Sequence, residues 1–469
     1  MFKGCDQMRE MFDVSFARHV RAALTVMASA VAACLVFLTD VHAQDTTHTL
    51  IHAGRLLAVP GGSVEERQSI VISGDKIVEL RAGFAAPDDI AADPDRVRVI
   101  DLSGKFVLPG LIDSHVHITS ESGPGFKLRR VVSSGPDQAI SAAMNARRTL
   151  MAGFTTVRDT AGFRGDDFEA VFAIRDGIAK GKVAGPRLLV CGQGITPTAG
   201  HGDFMGYRPD IEALLAPKSI CDSAAECRKT TRYMIKRGAD FIKIAATGGI
   251  TSEISAGLDQ QMTNEEIRAV VETAHSLGRK VTAHAHGTNG INAALRAGVD
   301  SIEHGTFMND ESVRLFLEIG AYLVPTMLAH KASAARVAND PSLPEAVRQK
   351  SKDRTDNKIA QVRRAYEAGI KMAFGTDAAI SPHGRNAQEF ALLIEAGVSP
   401  MDAIVMATVN AADHLGVAET TGSIEPGKAA DIIAVEGDPL SDVTVLENVS
   451  FVMKEGFVHK HQGRLLAMP

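Results

Sequence analysis

Leu108-Pro109-Gly110-Leu111-Ile112-Asp113-Ser114-His115-Val116-His117 is the stretch from which the organisation of this chain can be read. An apolar run becomes a strand, and histidines follow at i and i+2, so both imidazoles leave one face. Two neutral imidazoles held at a fixed separation form a chelate for a borderline cation such as Zn²⁺. An isolated pair of this kind also occurs as an ordinary strand cap, so its meaning depends on what the remaining chain brings to it.

Downstream, from 110 to about 416, apolar segments alternate with longer helical stretches such as 264–277 and 387–396, a pattern that argues for a parallel sheet. Eight strand candidates occur in order, at 111–118, 155–159, 187–191, 241–245, 280–284, 301–304, 322–325 and 371–375. This α/β pattern predicts a TIM-type (β/α)₈ barrel with its chemistry at the C-terminal strand ends. Upstream, 49–59 and 69–80 alternate around Pro60-Gly61-Gly62 and Gly74-Asp75, and the same texture returns at 430–435 and 449–458 around Gly437-Asp438-Pro439. The two ends are therefore expected to build one small β-sandwich domain. The expected division is a leader at 1–43, one half of the β-domain at 44–108, the barrel at 109–420 and the other half at 421–469.

The 469 residues are 45% apolar and 23% charged with a formal net charge of -6, sufficient for a large core and without the basic footprint of a nucleic-acid binder. Arg18 and Arg21 precede an apolar run at 22–38, and Val41-His42-Ala43 stands before Gln44, which reads as a secretory signal cleaved after Ala43. The expectation is a secreted or periplasmic protein with no stable membrane span after processing. Val31-Ala32-Ala33-Cys34 also looks like a lipoprotein processing box, leaving lipid anchoring at Cys34 as the alternative. Cys191, Cys221 and Cys227 remain in the mature chain; Cys221 and Cys227 are near enough for a local disulfide, which their spacing alone does not establish.

The polar residues at the expected strand ends form a set. Strand one ends in His115 and His117, strand four carries Lys243, strand five His284 and His286, strand six His304, and Asp377 follows strand eight. In Phe241-Ile242-Lys243-Ile244 the alternation turns Lys243 toward the barrel interior, where an ammonium among metal-binding groups needs compensation, either by an acidic neighbour or by chemical change.

In that order these residues resemble the metal ligands of the amidohydrolase superfamily. The likeness extends to Thr282-Ala283-His284-Ala285-His286-Gly287, Ser301-Ile302-Glu303-His304-Gly305, Gly375-Thr376-Asp377 and the late Gly422-Ser423-Ile424-Glu425-Pro426-Gly427-Lys428-Ala429-Ala430-Asp431, which are similar to the imidazolonepropionase-like, Xaa-Pro-dipeptidase-like group. It covers nearly the whole mature chain. The resemblance implies two divalent metal ions, zinc first among candidates. His115, His117 and Asp377 would hold the more buried ion, His284 and His304 the more exposed one, and Lys243, carboxylated by CO₂, would bridge them. It also implies amide hydrolysis by a metal-bound hydroxide, with Asp377 carrying the proton to the leaving amine. His286 shares a face with His284 and would contact substrate or replace it as ligand.

The loop Thr196-Pro197-Thr198-Ala199-Gly200-His201-Gly202-Asp203 follows strand three, and relatives use that loop beside the leaving group, so His201 is expected at substrate or transition state. Arg158, Tyr207 and His330 are further candidates for reading a substrate carboxylate or carbonyl. The implied partner is a small-molecule amide: a dipeptide or N-acyl amino acid with a free carboxylate, with ochratoxin A hydrolysis within the range of the group. A homo-oligomer is compatible with the sequence. The alternative within catalysis is a cyclic-amide hydrolase or deaminase; mononuclear deaminases commonly carry a Glu near the strand-five histidine, and none stands in 283–289. A scaffold that has lost its metal ligands is the reading outside catalysis, and here all six ligand positions are filled.

Overall fold

The computed structural model describes residues 48–123, 125–161, 168–250, 257–339, 345–355 and 357–465. The expected leader at 1–43 and Cys34 lie outside them. No helix among the described residues is long and apolar enough to cross a membrane.

Both chain ends build one sheet. From the N-terminal side come β1 (His48–Leu56), β2 (Glu65–Ser73), β3 (Lys76–Ala82) and β4 (Val97–Pro109). Then follow the site-bearing strands β5 (Leu111–Val116), β6 (Phe154–Asp159), β7 (Arg187–Val190), β8 (Ile242–Ala245), β9 (Val281–Ala285), β10 (Ser301–His304) and β11 (Tyr322–Val324). The C-terminal part returns with β12 (Ile432–Val435), β13 (Phe451–Lys454), β14 (Phe457–His461) and β15 (Arg464–Leu465). The end strands run in the order β15-β14-β13-β12-β4-β1-β2-β3, one eight-stranded sheet where a sandwich of two sheets was expected. The reason is β4, which pairs in parallel with β1 along one edge and antiparallel with β12 along the other, fusing the two halves. Ile51, Ile70, Ile100, Ile432, Phe451 and Met453 then share a single apolar core. The run at 449–458 divides into β13 and β14 because Glu455 and Gly456 take φ of 50° and 76°, a tight reversal.

The seven strands from β5 to β11 are parallel within two arcs, β5-β6-β7 and β8-β9-β10-β11. Ile195 joins the arcs on one side, its N–H donating to the Lys243 carbonyl and its carbonyl accepting from Ala245. The expected eighth strand at 371–375 is irregular backbone, bridging Leu323 through Met372 and Val116 through Ala378. Two features interrupt it: the Asp113 carboxylate takes the Thr376 N–H at 3.1 Å, and Asp377 and Ala379 leave the extended region with φ of 56° and 133°. Side chains such as Val157, Ile244, Val281, Ile302 and Leu323 pack outward against helices including Gly135–Met151 and Asn264–Ser276. The end sheet docks at the N-terminal strand ends, where Arg187 binds Asp431 at 2.8 Å and Glu455 at 2.7 Å.

Candidate active site

At the opposite, C-terminal strand ends, one cavity is lined by His115, His117, His201, Tyr207, Lys243, His284, His286, His304 and Asp377. Alternation brings them there. His115 and His117 leave one face of β5 and its extension, Lys243 is the inward residue of β8, and His284 and His286 leave one face of β9. His304 at φ 74° and Asp377 at φ 56° are turned in by backbone that costs energy for a residue bearing a Cβ, the kind of strain that collects at functional sites.

Hydrogen bonds decide which imidazole nitrogen faces the centre. His115 donates from Nδ1 to Glu303 Oε2 at 2.6 Å, and His117 from Nδ1 to the Ala161 carbonyl at 2.9 Å. The Nδ1 atoms of His286 and His304 meet the hydroxyls of Thr306 and Thr326, each at 2.7 Å. These four residues thus leave Nε2 for the cavity. His284 is reversed, with Nε2 3.3 Å from the Gly248 carbonyl and Nδ1 left over. Asp377 Oδ1 lies 3.1 Å from His117 Nε2 and 3.7 Å from His115 Nε2. Among the described residues, two groups have ligand atoms all within 4.8 Å of one another, His284 with His286 and His304, and His115 with His304 and Asp377. His286 thus lies within the same 4.8 Å reach of the His304 ligand atom as His284 does.

The electrostatics favour lone pairs over charge. Burial, then Lys243, depresses His115 to about 4 and His201 to about 3. Burial together with neighbouring histidines holds His284 and His304 well below the usual imidazole value. Burial pulls His117 the same way, but its hydrogen bond to Asp377, the charges of Asp377 and Asp159 and the Ala161 carbonyl together outweigh this and raise it. Asp377 stays below the usual carboxylate value because His115, His117 and Lys243 oppose the burial that would raise it. Neutral imidazoles and an ionised carboxylate are the donor set that divalent cations take.

Arg158 and His330 are not among the cavity-lining residues. Arg158 was expected to read substrate; instead Nε donates to the Ser114 carbonyl at 2.6 Å, Nη2 to Glu303 Oε1 at 2.7 Å, and the guanidinium stacks over Phe241. Its length is spent beneath the cavity. Glu303, fully buried, is the residue that sequence reasoning passed over: it grips His115 with one oxygen, and Arg158, Thr282 and Ser301 with the other. The signal was present, since a carboxylate within an interior strand needs partners. The Asp113 carboxylate likewise accepts from His115 N, Thr376 N and Oγ1, and Asn386 Nδ2, tying β5 to the segment that carries Asp377. The His201 ring stacks on His284 with centroids 4.1 Å apart, and a Cβ at Gly249 would come within 2.0 Å of that ring, so only glycine fits there.

Such a histidine-rich cavity at the C-terminal ends of an α/β fold is the site of a hydrolase that generally uses divalent metals. The chain belongs to the amidohydrolase family, whose model it matches over residues 106–458. It is 32% identical over 437 residues to ochratoxinase of Aspergillus niger, covering 88% of this chain and 87% of that protein. Among solved structures, a Xaa-Pro dipeptidase with bound methionine in its active site matches with TM-score 0.81 and 40% identity, over 88% of this chain and all of that one, 100%. A prolidase complexed with N-methylphosphonate-L-proline matches with TM-score 0.78 and 29% identity, over 89% of this chain and 100% of that one. These relatives share a TIM-barrel-type fold, and the protein is an enzyme acting on C–N bonds.

Proposed function

We propose that this enzyme hydrolyses the amide bond of dipeptides or N-acyl amino acids with the help of two divalent cations, zinc first among candidates. One observation carries the reading: six imidazoles, Asp377 and a lysine with no hydrogen-bond partner among the described residues meet in a single cavity. His115, His117 and Asp377 would hold one cation and His284 with His304 the other, with His286 able to take the place of His284. Lys243 makes no hydrogen bond or ion pair with a described residue, and burial lowers its pKa. Its free-amine form adds CO₂ and releases a proton, becoming a carbamate anion, which removes an otherwise uncompensated cation from a metal site. When bound, the cations would supply the Lewis acidity that polarises the scissile carbonyl and makes water acidic.

The remaining work falls to side chains. Asp377 has one oxygen engaged by His117, and its carboxylate takes the proton of the attacking water and returns it to the leaving nitrogen. His201, stacked on His284 and kept neutral, faces the scissile group as a hydrogen-bond donor, and Tyr207 lies farther out on the same wall. The residues 1–43 read as a leader, and the Cys221–Cys227 disulfide supports export, because such bonds persist in oxidising compartments.

The test is a panel of dipeptides, N-acyl amino acids and ochratoxin A, assayed with protein expressed in ample zinc and bicarbonate. Release of amine from at least one class is expected, abolished by chelation and restored by metal. Metal-loaded protein that cleaves nothing in the panel would overturn this reading.

A further inference from the structure

We propose that Arg336, assisted by the Ser333 hydroxyl one turn earlier, is the anchor for a free carboxylate on the substrate, and that the wall around it selects an amino acid with an apolar side chain. The inference rests on the amide-hydrolase reading above and adds what that site selects.

Among the described residues, three non-histidine cations line the cavity, and two have other employment. Lys243 sits among the candidate metal ligands. Arg130 lies over the Phe204 ring, 5.2 Å from its centroid. Arg158, expected as carboxylate reader, is committed to Glu303 below the floor. Lys350 donates to the Gly249 carbonyl at 3.1 Å. Arg336 has no hydrogen bond, ion pair or ring contact with any described residue, although it is half-buried in the cavity wall.

Nor do the described residues of the wall supply it with an anion. Among the described residues, the two acidic ones lining the cavity are engaged elsewhere: Asp203 accepts from Ala199 N and Phe204 N, each at 2.8 Å, and Asp377 is held by His117. A guanidinium half withdrawn from water with no counter-charge among the described residues favours binding of one, and its planar fork suits a carboxylate in two parallel hydrogen bonds.

The carrier is a helix anchored at its start. Arg336 lies on the helix Met327–Asn339, whose first N–H groups are fixed by Glu389, from Met327 at 2.8 Å and Leu328 at 2.5 Å. Ser333, Arg336 and Val337 fall at i, i+3 and i+4, so hydroxyl, guanidinium and an apolar side chain face the cavity together. Val347 and Ile250 extend that apolar surface, which gives a substrate side chain a place beside the anchored carboxylate.

The experiment compares ligands that differ only at the carboxyl group, N-acetyl-L-leucine and its carboxamide, on the metal-loaded full chain. Calorimetry gives Kd for each, and acetate release gives turnover. Wild-type protein is expected to bind the acid about 10–100-fold more tightly than the carboxamide, the span of one or two charge-assisted hydrogen bonds. Arg336→Met should bring that ratio toward one, and Arg336→Lys should restore part of it, which excludes misfolding as the cause. Equal affinity for acid and carboxamide in the wild type, or an unchanged ratio in Arg336→Met, overturns the inference. A carboxylate-dependent Kd without turnover on this pair or the wider panel supports Arg336 and overturns the hydrolase reading instead.

Discussion

His115 is held from both ends, by Glu303 at Nδ1 and by the approach of Asp377 at Nε2, and this division of labour makes the two carboxylates separable by mutation. Glu303→Gln keeps the shape but removes the charge that faces both His115 and Arg158. Loss of such an orienting partner is expected to weaken metal binding about 10–100-fold, read by chelator competition, with secondary structure retained. Unchanged affinity would mean that Glu303 serves only Arg158. Asp377→Asn retains an oxygen near the imidazoles but cannot take up a proton. Turnover should fall on the order of 10²–10⁴-fold for amides with basic leaving groups, less for anilides, while metal content changes much less. Equal losses on both substrates with metal intact would pass the proton-carrying role to His201 or His286.

Among the elements, the strands with a two-residue period were readable because burial on both faces leaves so little freedom: β10 was expected at its observed limits, and β5, β6 and β9 within one or two residues. The segment at 371–378 was not, since its course is set by the Asp113 side chain and by left-handed backbone at Asp377, which no periodicity records. The same holds for Glu303 and Arg158, residues whose roles depend on a partner over a hundred positions away (|i−j|=145). Glu389 is another such tertiary contact. Burial raises its pKa to about 8, against hydrogen bonds from Met327 and Leu328 and the charge of Lys358, with Asp113 acting in the same direction as burial. A carboxyl group that keeps its proton in the folded chain but loses it near pH 4.5 when unfolded stabilises most below that value. Stability should then decline by about 1.4 kcal/mol for each pH unit between the two values. Glu389→Gln should flatten the fall in Tm between pH 5 and 8; an identical slope in the variant would show that Glu389 is ionised throughout.

On the scale of the whole molecule, the chain ends and the chemistry occupy opposite sides of the strands. The end sheet meets β5–β7 at their starts, through Arg187 and through Gly153, where a Cβ would fall 2.9 Å from Val449. The site uses the other ends, so the sheet supports stability and leaves the cavity free to vary. The proposed function requires that cavity to hold two metals across a carboxylated Lys243. The most direct measurement is metal stoichiometry by elemental analysis for the wild type and Lys243→Ala, beside turnover on the best amide of the panel. The account predicts two ions per wild-type chain, loss of at least one in Lys243→Ala with activity down by orders of magnitude, and partial recovery when a short carboxylic acid is added. Full metal occupancy and wild-type turnover in Lys243→Ala would contradict it.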